Sequence, residues 1–267
     1  MKVFFVGDIV GKPGRRAFKE LLPGVIRQYE VDLTIANCEN ASAGAGLTRE
    51  NYEELIDAGA DLLTSGNHIW DKHEILNYVD NAELLLRPVN YPAGPGRGTA
   101  VVAAPSGAKL GVANIMGVVF MGISLDNPWK AADQVLAELR KETPCILVDM
   151  HAEASSEKQA MGHYCDGRAS AVVGTHTHVQ TADERILPAG TAFITDAGMT
   201  GPYDSVIGMK KEVSLKRFTT GMPAKYDCAK SGARLCGVVI TIDDATGKAT
   251  GIVRINLPLP DSGGDLG

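Results

Sequence analysis

Short apolar runs alternate with amphipathic stretches along most of the chain. Residues 2–6 (KVFFV), β-branched or aromatic after Lys2, read as a buried strand closed by Gly7-Asp8. After a glycine-rich loop, Pro13 is placed as the first residue of a helix. Phe18, Leu21, Leu22, Val25, Ile26 and Tyr29 recur there at helical spacing, and Pro23-Gly24 predicts a kink or two short helices. Residues 32–36 form the second strand, ending in Asn37-Cys-Glu-Asn40, and Thr48 caps the next helix. Residues 61–64 form the third, ending in Ser65-Gly-Asn-His68, with Asp71 and Glu74 as a capping box for the helix that follows.

Further on, 84–86 is a short strand, and 99–103 with 109–115 form a hairpin through Ser106-Gly107. Asn127-Pro128 opens a helix to about residue 140, strand 145–148 ends in Asp149-Met-His151, and a helix begins at Ser155. Strand 169–173 runs into Gly174-Thr-His-Thr-His178, and 192–195 is another strand. Residues 196–202 are glycine-rich and aperiodic. Residues 203–234 carry one amphipathic piece near 213–218 and read as a lid or assembly segment; 235–242 and 250–255 pair as a hairpin; 258–267 is a frayed tail. With no repeat or linker, residues 1–267 read as a single domain with helices alternating with strands, an α/β class.

Composition changes this picture little. The 267 residues are 45% hydrophobic and 22% charged, ordinary for a globular protein. Twenty-six basic against 32 acidic residues, a net charge of −6, argue against stable binding of duplex nucleic acid by bulk charge. No apolar run is long enough to cross a bilayer, and the N-terminus lacks the features of a signal peptide, so a cytoplasmic location without membrane contact is expected. Five cysteines without a CxxC pair read as reduced thiols, neither a disulfide frame nor a zinc knuckle.

The chemistry collects where strands end. Asp8, Glu39 with Asn40, Asn67 with His68, His151, and His176 with His178 each follow a predicted strand. Any one alone would serve as a cap, a turn or a satisfied histidine. Strand alternation predicts that His176 and His178 point into one volume, either as a hydrogen-bonded pair or around a metal ion. The same alternation puts Asn37 and Glu39 on one side and turns Cys38 to the core. Carboxylate, carboxamide and imidazole donors without thiolate suit manganese, iron or zinc. Seven candidate ligands suit two ions about 3.5–4 Å apart that share a carboxylate, for which Glu39 is the natural bridge.

Gly7-Asp8, Asn37-Cys-Glu-Asn40, Gly66-Asn-His68, His151 and Gly174-Thr-His-Thr-His178 resemble the ordered motifs of the calcineurin-like metallophosphoesterases. The strings GDIVGKPGR, NCENA, SGNHIWD, GTHTHVQTAD and DAGMTGPYDSVIG resemble its YmdB-like branch of bacterial phosphodiesterases. The resemblance implies two central mixed β-sheets packed face to face and flanked by helices. It also implies a centre of two metal ions per chain, iron foremost, with manganese and zinc as alternatives. The implied activity is hydrolysis of phosphodiesters, 2′,3′-cyclic nucleotides above all. Carried over by motif, Asp8, Glu39 and His178 hold one ion with Asn40 nearby. Glu39, Asn67, His151 and His176 hold the other, and His68 faces the substrate. Val10 stands where the wider superfamily has a histidine, so Asn40 or water fills that place. The expected mechanism is in-line attack by a metal-bridging hydroxide, with His68 protonating the leaving sugar oxygen. The alternative is a regulatory metal- and nucleotide-binding protein whose turnover is incidental. Self-association into a homo-oligomer is compatible with either.

Overall fold

Strands Lys2–Val6 and Ile146–His151 are buried on both faces apart from Lys2, which requires sheets covered on both sides. The computed structural model describes residues 1–225 and 227–260. In order these form β1 (Lys2–Val6), β2 (Asp8–Ile9), α1 (Gly11–Tyr29), β3 (Leu33–Asn37), α2 (Arg49–Asp57), β4 (Leu62–Thr64) and a 3₁₀ turn (His73–Asn77). There follow β5 (Thr99–Ala103), β6 (Lys109–Met116), α3 (Pro128–Leu139), β7 (Ile146–His151), α4 (Ser155–Tyr164) and β8 (Ala171–Thr175). The rest are β9 (Arg185–Ile186), β10 (Ala192–Ile194), β11 (Met199–Pro202), α5 (Lys211–Thr220), β12 (Ala233–Ile242) and β13 (Ala249–Pro258).

Two mixed sheets result. One has the order β2-β11-β12-β1-β3-β4, with β13 added on β12; the other runs β5-β6-β7-β8-β10-β9. The period of two in each strand sorts its side chains into different cores. Val3 and Phe5 of β1, Leu33 and Ile35 of β3, and Leu147 of β7 fill the layer between the sheets. Phe4 and Val6 turn outward to Phe18 and Leu22 of α1 and Leu55 of α2. Ile146 and Val148 turn the other way, to Ala132, Val135 and Leu136 of α3 and Met161 of α4. The order is helices, sheet, sheet, helices, as expected.

Several local expectations are corrected. Pro23 and Gly24 do not split the first helix, which runs unbroken from Gly11 to Tyr29. An interior proline costs about 3 kcal/mol. Phe18, Leu22 and Val25 are fully buried on the opposite face and contribute about 1.5–3 kcal/mol each, which outweighs it. Pro23 itself is exposed, so the carbonyl it leaves unbonded can reach water. The Asp71–Glu74 capping box does not form. The 3₁₀ turn has no side-chain cap, Asp71 instead meets His68, and Glu74 Oε1 accepts from Arg49 N at 2.8 Å. Residues 84–86 make only isolated bridges, Leu63 to Leu85 and Leu86 to Arg97. The aperiodic stretch after Asp196 holds β11, parallel to β2 and antiparallel to β12. Of the expected tail, Leu259 is buried and its N–H bonds Ala233 O at 2.8 Å; residues 261–267 lie outside the described residues. Among the described residues no helix is long and apolar enough to cross a membrane.

Candidate metal centre

The inter-sheet layer turns polar at its carboxyl end. One step of the strand period beyond Ile35, Leu62, Leu147 and Val173 stand Asn37, Thr64, Asp149 and Thr175, all fully buried. Asp149 gathers the other three: Asn37 Nδ2 at 3.0 Å, Thr64 Oγ1 at 2.5 Å and Thr175 Oγ1 at 2.6 Å. These donors satisfy a buried carboxylate that would otherwise be costly. Because the Thr175 hydroxyl donates to Asp149, it must accept from the Nδ1–H of His151, 2.9 Å away. That fixes the ring so that Nε2 faces the centre.

Around that atom the expected residues come together. Asn67 Oδ1 lies 2.9 Å and Glu39 Oε2 3.3 Å from His151 Nε2. Ligand atoms of Glu39, His151 and His176 all lie within 4.8 Å of one another, and so do those of Asp8, Glu39 and His178. Glu39 belongs to both groups. Asn40 Nδ2 sits 3.0 Å from Glu39 Oε1 and 3.2 Å from His178 Nε2. Cys38 turns away, as expected, and its thiol donates to Thr64 O at 3.2 Å. Gly66 permits this crowding: a β-carbon there would lie 2.2 Å from His151 Nε2 and 2.3 Å from Glu39 Oε2.

The two late histidines reach the centre by a route that differs from the expectation. β8 stops at Thr175, so strand alternation does not orient them. His176 (φ 95°) and His178 (φ 65°) both adopt left-handed backbone, uncommon for a residue with a β-carbon. The residue between them is clamped. Thr177 N–H and Oγ1–H both donate to Asp196 Oδ2, at 3.1 and 2.6 Å. Lys158, as buried as Asp196, donates to the same oxygen at 2.7 Å and to Thr177 Oγ1 at 3.2 Å. The clamp lets His176 join His151 while His178 joins Asp8. His178 is further held by its Nδ1, which donates to Ile207 O at 2.9 Å.

The charges fit a site built to hold cations. Burial pushes the Asp8 carboxyl up to about 6 despite His178 and His151 nearby. Burial alone would push the His151 imidazole down, but Glu39, Asp8 and Asp149 raise it to about 9. Burial would raise Glu39 too, yet His151 beside it holds its carboxyl well below the usual range. Burial and the neighbouring His151 depress His176 to about 3. Asp8 Oδ1 is buried without a hydrogen-bond partner, with His178 Nε2 3.9 Å away. With Nδ1 committed to Thr175, His151 Nε2 converges with oxygens of Asn67 and Glu39, and the proton shared there stands where a cation would. An orphaned carboxylate oxygen and acceptors gathered on one proton are what a bound cation resolves, so the donor set fits metal.

Above these groups opens a cavity of about 420 Å³, lined by Glu39, Asn40, His68, Glu153, His176, Thr177 and His178, with Val206, Ile207, Met209 and Phe218. His68 lines it, and its Nδ1 bonds Asp71 Oδ2 at 2.8 Å, while Trp70 packs edge-on against Tyr91 instead. Its side chain parts from that of Asn67, which reaches His151. Sequence reasoning missed Glu153, whose carboxylate lies 3.1 Å from His176 Nε2, and the buried supports Asp149, Thr175, Lys158 and Asp196. The supports on strands had a signal: polar residues in register with inward apolar ones. Asp196 had the same signal, one period beyond the inward Ile194 at the end of the expected strand 192–195; Lys158 had none.

A model of the YmdB-like protein family matches residues 4–255. The chain belongs to the YmdB-like family. This YmdB-like chain is 53% identical over 256 residues to a 2′,3′-cyclic-nucleotide 2′-phosphodiesterase of Bacillus subtilis (strain 168), covering 96% of each chain. Its structure is similar to that of a hypothetical protein from Thermus thermophilus, with TM-score 0.91 and 44% identity over 97% of this chain and 100% of that one. A novel phosphatase from Mycoplasma pneumoniae has the same TM-score, 0.91, at 37% identity over 97% and 93% of the two chains.

Proposed function

We propose that this protein is a metal-dependent phosphodiesterase acting on 2′,3′-cyclic nucleotides. The observation that carries this reading is a cavity that joins two ligand groups sharing Glu39, yet has no lysine or arginine in its lining among the described residues. Such a wall offers no side-chain cation to a dianionic monoester and suits the single charge of a diester. The relative named as a cyclic-nucleotide phosphodiesterase supports the same substrate class.

In this reading Glu39, Asn67, His151 and His176 hold one ion, and Asp8, Glu39 and His178, with Asn40 beside them, hold the other. Iron, manganese and zinc all suit these donors. Bound there, the ions would neutralise phosphoryl oxygens and lower the pKa of water. The chain's own part is to orient and to move a proton. Thr175 and Ile207 O hold the two imidazoles by their Nδ1 atoms, leaving each Nε2 directed inward. Asp71 accepts from His68 Nδ1 and orients the ring, leaving Nε2 to carry the proton for the leaving ribose oxygen.

Leaving-group dependence tests this. His68→Ala should retain its metals and lose roughly 10²–10⁴-fold on a 2′,3′-cyclic nucleotide, whose leaving oxygen needs a proton. A nitrophenyl diester, whose leaving group departs as an anion, should lose far less. Faster turnover of aryl monophosphates than of either diester would contradict the substrate class. Nucleotide binding without turnover in the metal-loaded protein would mark a regulatory binding protein instead.

A further inference from the structure

The cavity has two characters. Beside the ligand groups it is polar, and where residues 206–218 line it, it is apolar apart from Ser214. Within 203–234, expected from sequence as a lid or an assembly segment, a tight turn and α5 bring Val206, Ile207, Met209 and Phe218 to that lining. The turn is closed by reciprocal backbone bonds between Val206 and Met209, both 2.9 Å. Its central residues Ile207 (φ 46°) and Gly208 (φ 97°) both have left-handed backbone, the geometry of a turn that favours Asn-Gly. A β-branched residue there is a genuine outlier. Nothing in the turn's hydrogen bonding calls for isoleucine, because its carbonyl bond to His178 is available to any residue. The side chain is what isoleucine adds, and it lines the cavity while 54% exposed. Phe218 is 79% exposed, leaving most of its ring free to stack.

We infer that this apolar wall seats the nucleobase of the substrate, with Phe218 and Ile207 as specificity-determining residues. The inference rests on the phosphodiesterase reading. A volume of about 420 Å³ falls in the range that holds a drug-sized ligand and exceeds the needs of a phosphate alone. With phosphorus at the ligand groups, the rest of the molecule must lie along the cavity. Among the described residues no lysine or arginine lines it to attract a second phosphate, and Glu153 at its edge repels one. A flat, uncharged group carried by the ribose fits; every nucleobase has such a face, so the wall selects nucleosides over other diesters without selecting sharply among bases.

The test compares a nucleoside 2′,3′-cyclic phosphate with the 2′,3′-cyclic phosphate of methyl riboside, which has the same reacting atoms and no base. The metal-loaded wild type should favour the nucleotide in kcat/KM by roughly 10- to 100-fold, the usual range for one base stacked on an aromatic ring. Phe218→Ala, an exposed position that does not threaten folding, should lower that ratio towards one with unchanged metal content. Met209→Ala should lower it less. Equal kcat/KM for the two diesters in the wild type overturns the base seat and leaves the phosphodiesterase reading standing. A ratio unaltered in both variants also overturns it. Turnover of neither diester overturns the phosphodiesterase reading, and the base seat with it.

Discussion

The two ligand groups share Glu39 but are built differently. The group of Glu39, His151 and His176 is backed by side chains from four strands of both sheets. Asn37, Thr64, Asp149 and Thr175 are buried and mutually hydrogen-bonded, and end in the bond that holds His151. The group of Asp8, Glu39 and His178 has less behind it. Asp8 stands on the two-residue β2 and keeps an orphaned oxygen, His178 is held by one carbonyl of a strained turn and by the Asn40 amide, and valine stands at residue 10. Partners behind a metal ligand commonly account for 10- to 100-fold in affinity. A framework of sheet side chains moves less than a loop carbonyl, so the first group should bind its ion more tightly, and the second should be the one emptied by chelation.

The largest effect should come from removing what the groups share. Glu39→Gln should lose both ions by elemental analysis, whereas Asp8→Asn should lose chiefly one; two ions retained in Glu39→Gln would remove Glu39 from the bridging position. Next, Thr175→Val deletes the acceptor for His151 Nδ1–H and should weaken the first ion roughly 10- to 100-fold in competition with a chelator, with Thr175→Ser restoring it. Equal weakening of both ions would show that the groups are not separately supported. Asn40→Ala removes an amide from His178 and Glu39 and should weaken the second ion by about 10-fold, on the scale of a hydrogen bond to a charged group. A larger loss at the first ion than the second would reverse the comparison.

The smallest effect is one of pH on the metal-free protein. His151 is raised from 6.5 to about 9 in the fold, so between these values the folded chain binds more protons than the unfolded. Stability present below pH 6.5 is therefore lost as pH rises through 9. Asp8, raised from 3.8 to about 6, acts in the same direction at lower pH; His176, lowered to about 3, opposes it only below 6.5. The melting midpoint of chelator-treated protein should fall from pH 6.5 to 9, and loading with metal should remove that slope, since the ligands bind deprotonated. A flat midpoint without metal would mean that His151 carries no extra proton there.

The chain by itself settled the strand framework and the type of chemistry. Long runs such as 2–6, 109–115 and 235–242 bury both faces, and that local periodicity survives folding because the sheets are covered on both sides. Glu39, Asn67, His151, His176 and His178 were visible as donors because each follows such a run. Short strands were not legible: β2 and β11 have two and four residues, too few to show alternation, and exist only through their partners, β11 for β2 and both β2 and β12 for β11. Likewise Pro23 signalled a break that packing overrode.

Motif resemblance assigned the donors to their two groups, but the contacts that make those groups exist only in three dimensions. Asp8 and His176 are 168 positions apart, and Asp8 Oδ2 accepts the His176 backbone N–H at 3.2 Å. No spacing in the chain records that pairing. The route by which His176 and His178 reach one cavity was equally hidden, since both stand beyond β8 with left-handed backbone. It depends on Thr177 being gripped by Asp196 and Lys158, buried charges brought together by β10 and α4. Periodicity encodes which face a residue occupies, a property of its own element. A cluster of ligands and its supports is a property of several elements meeting, and its energy appears only once they are packed.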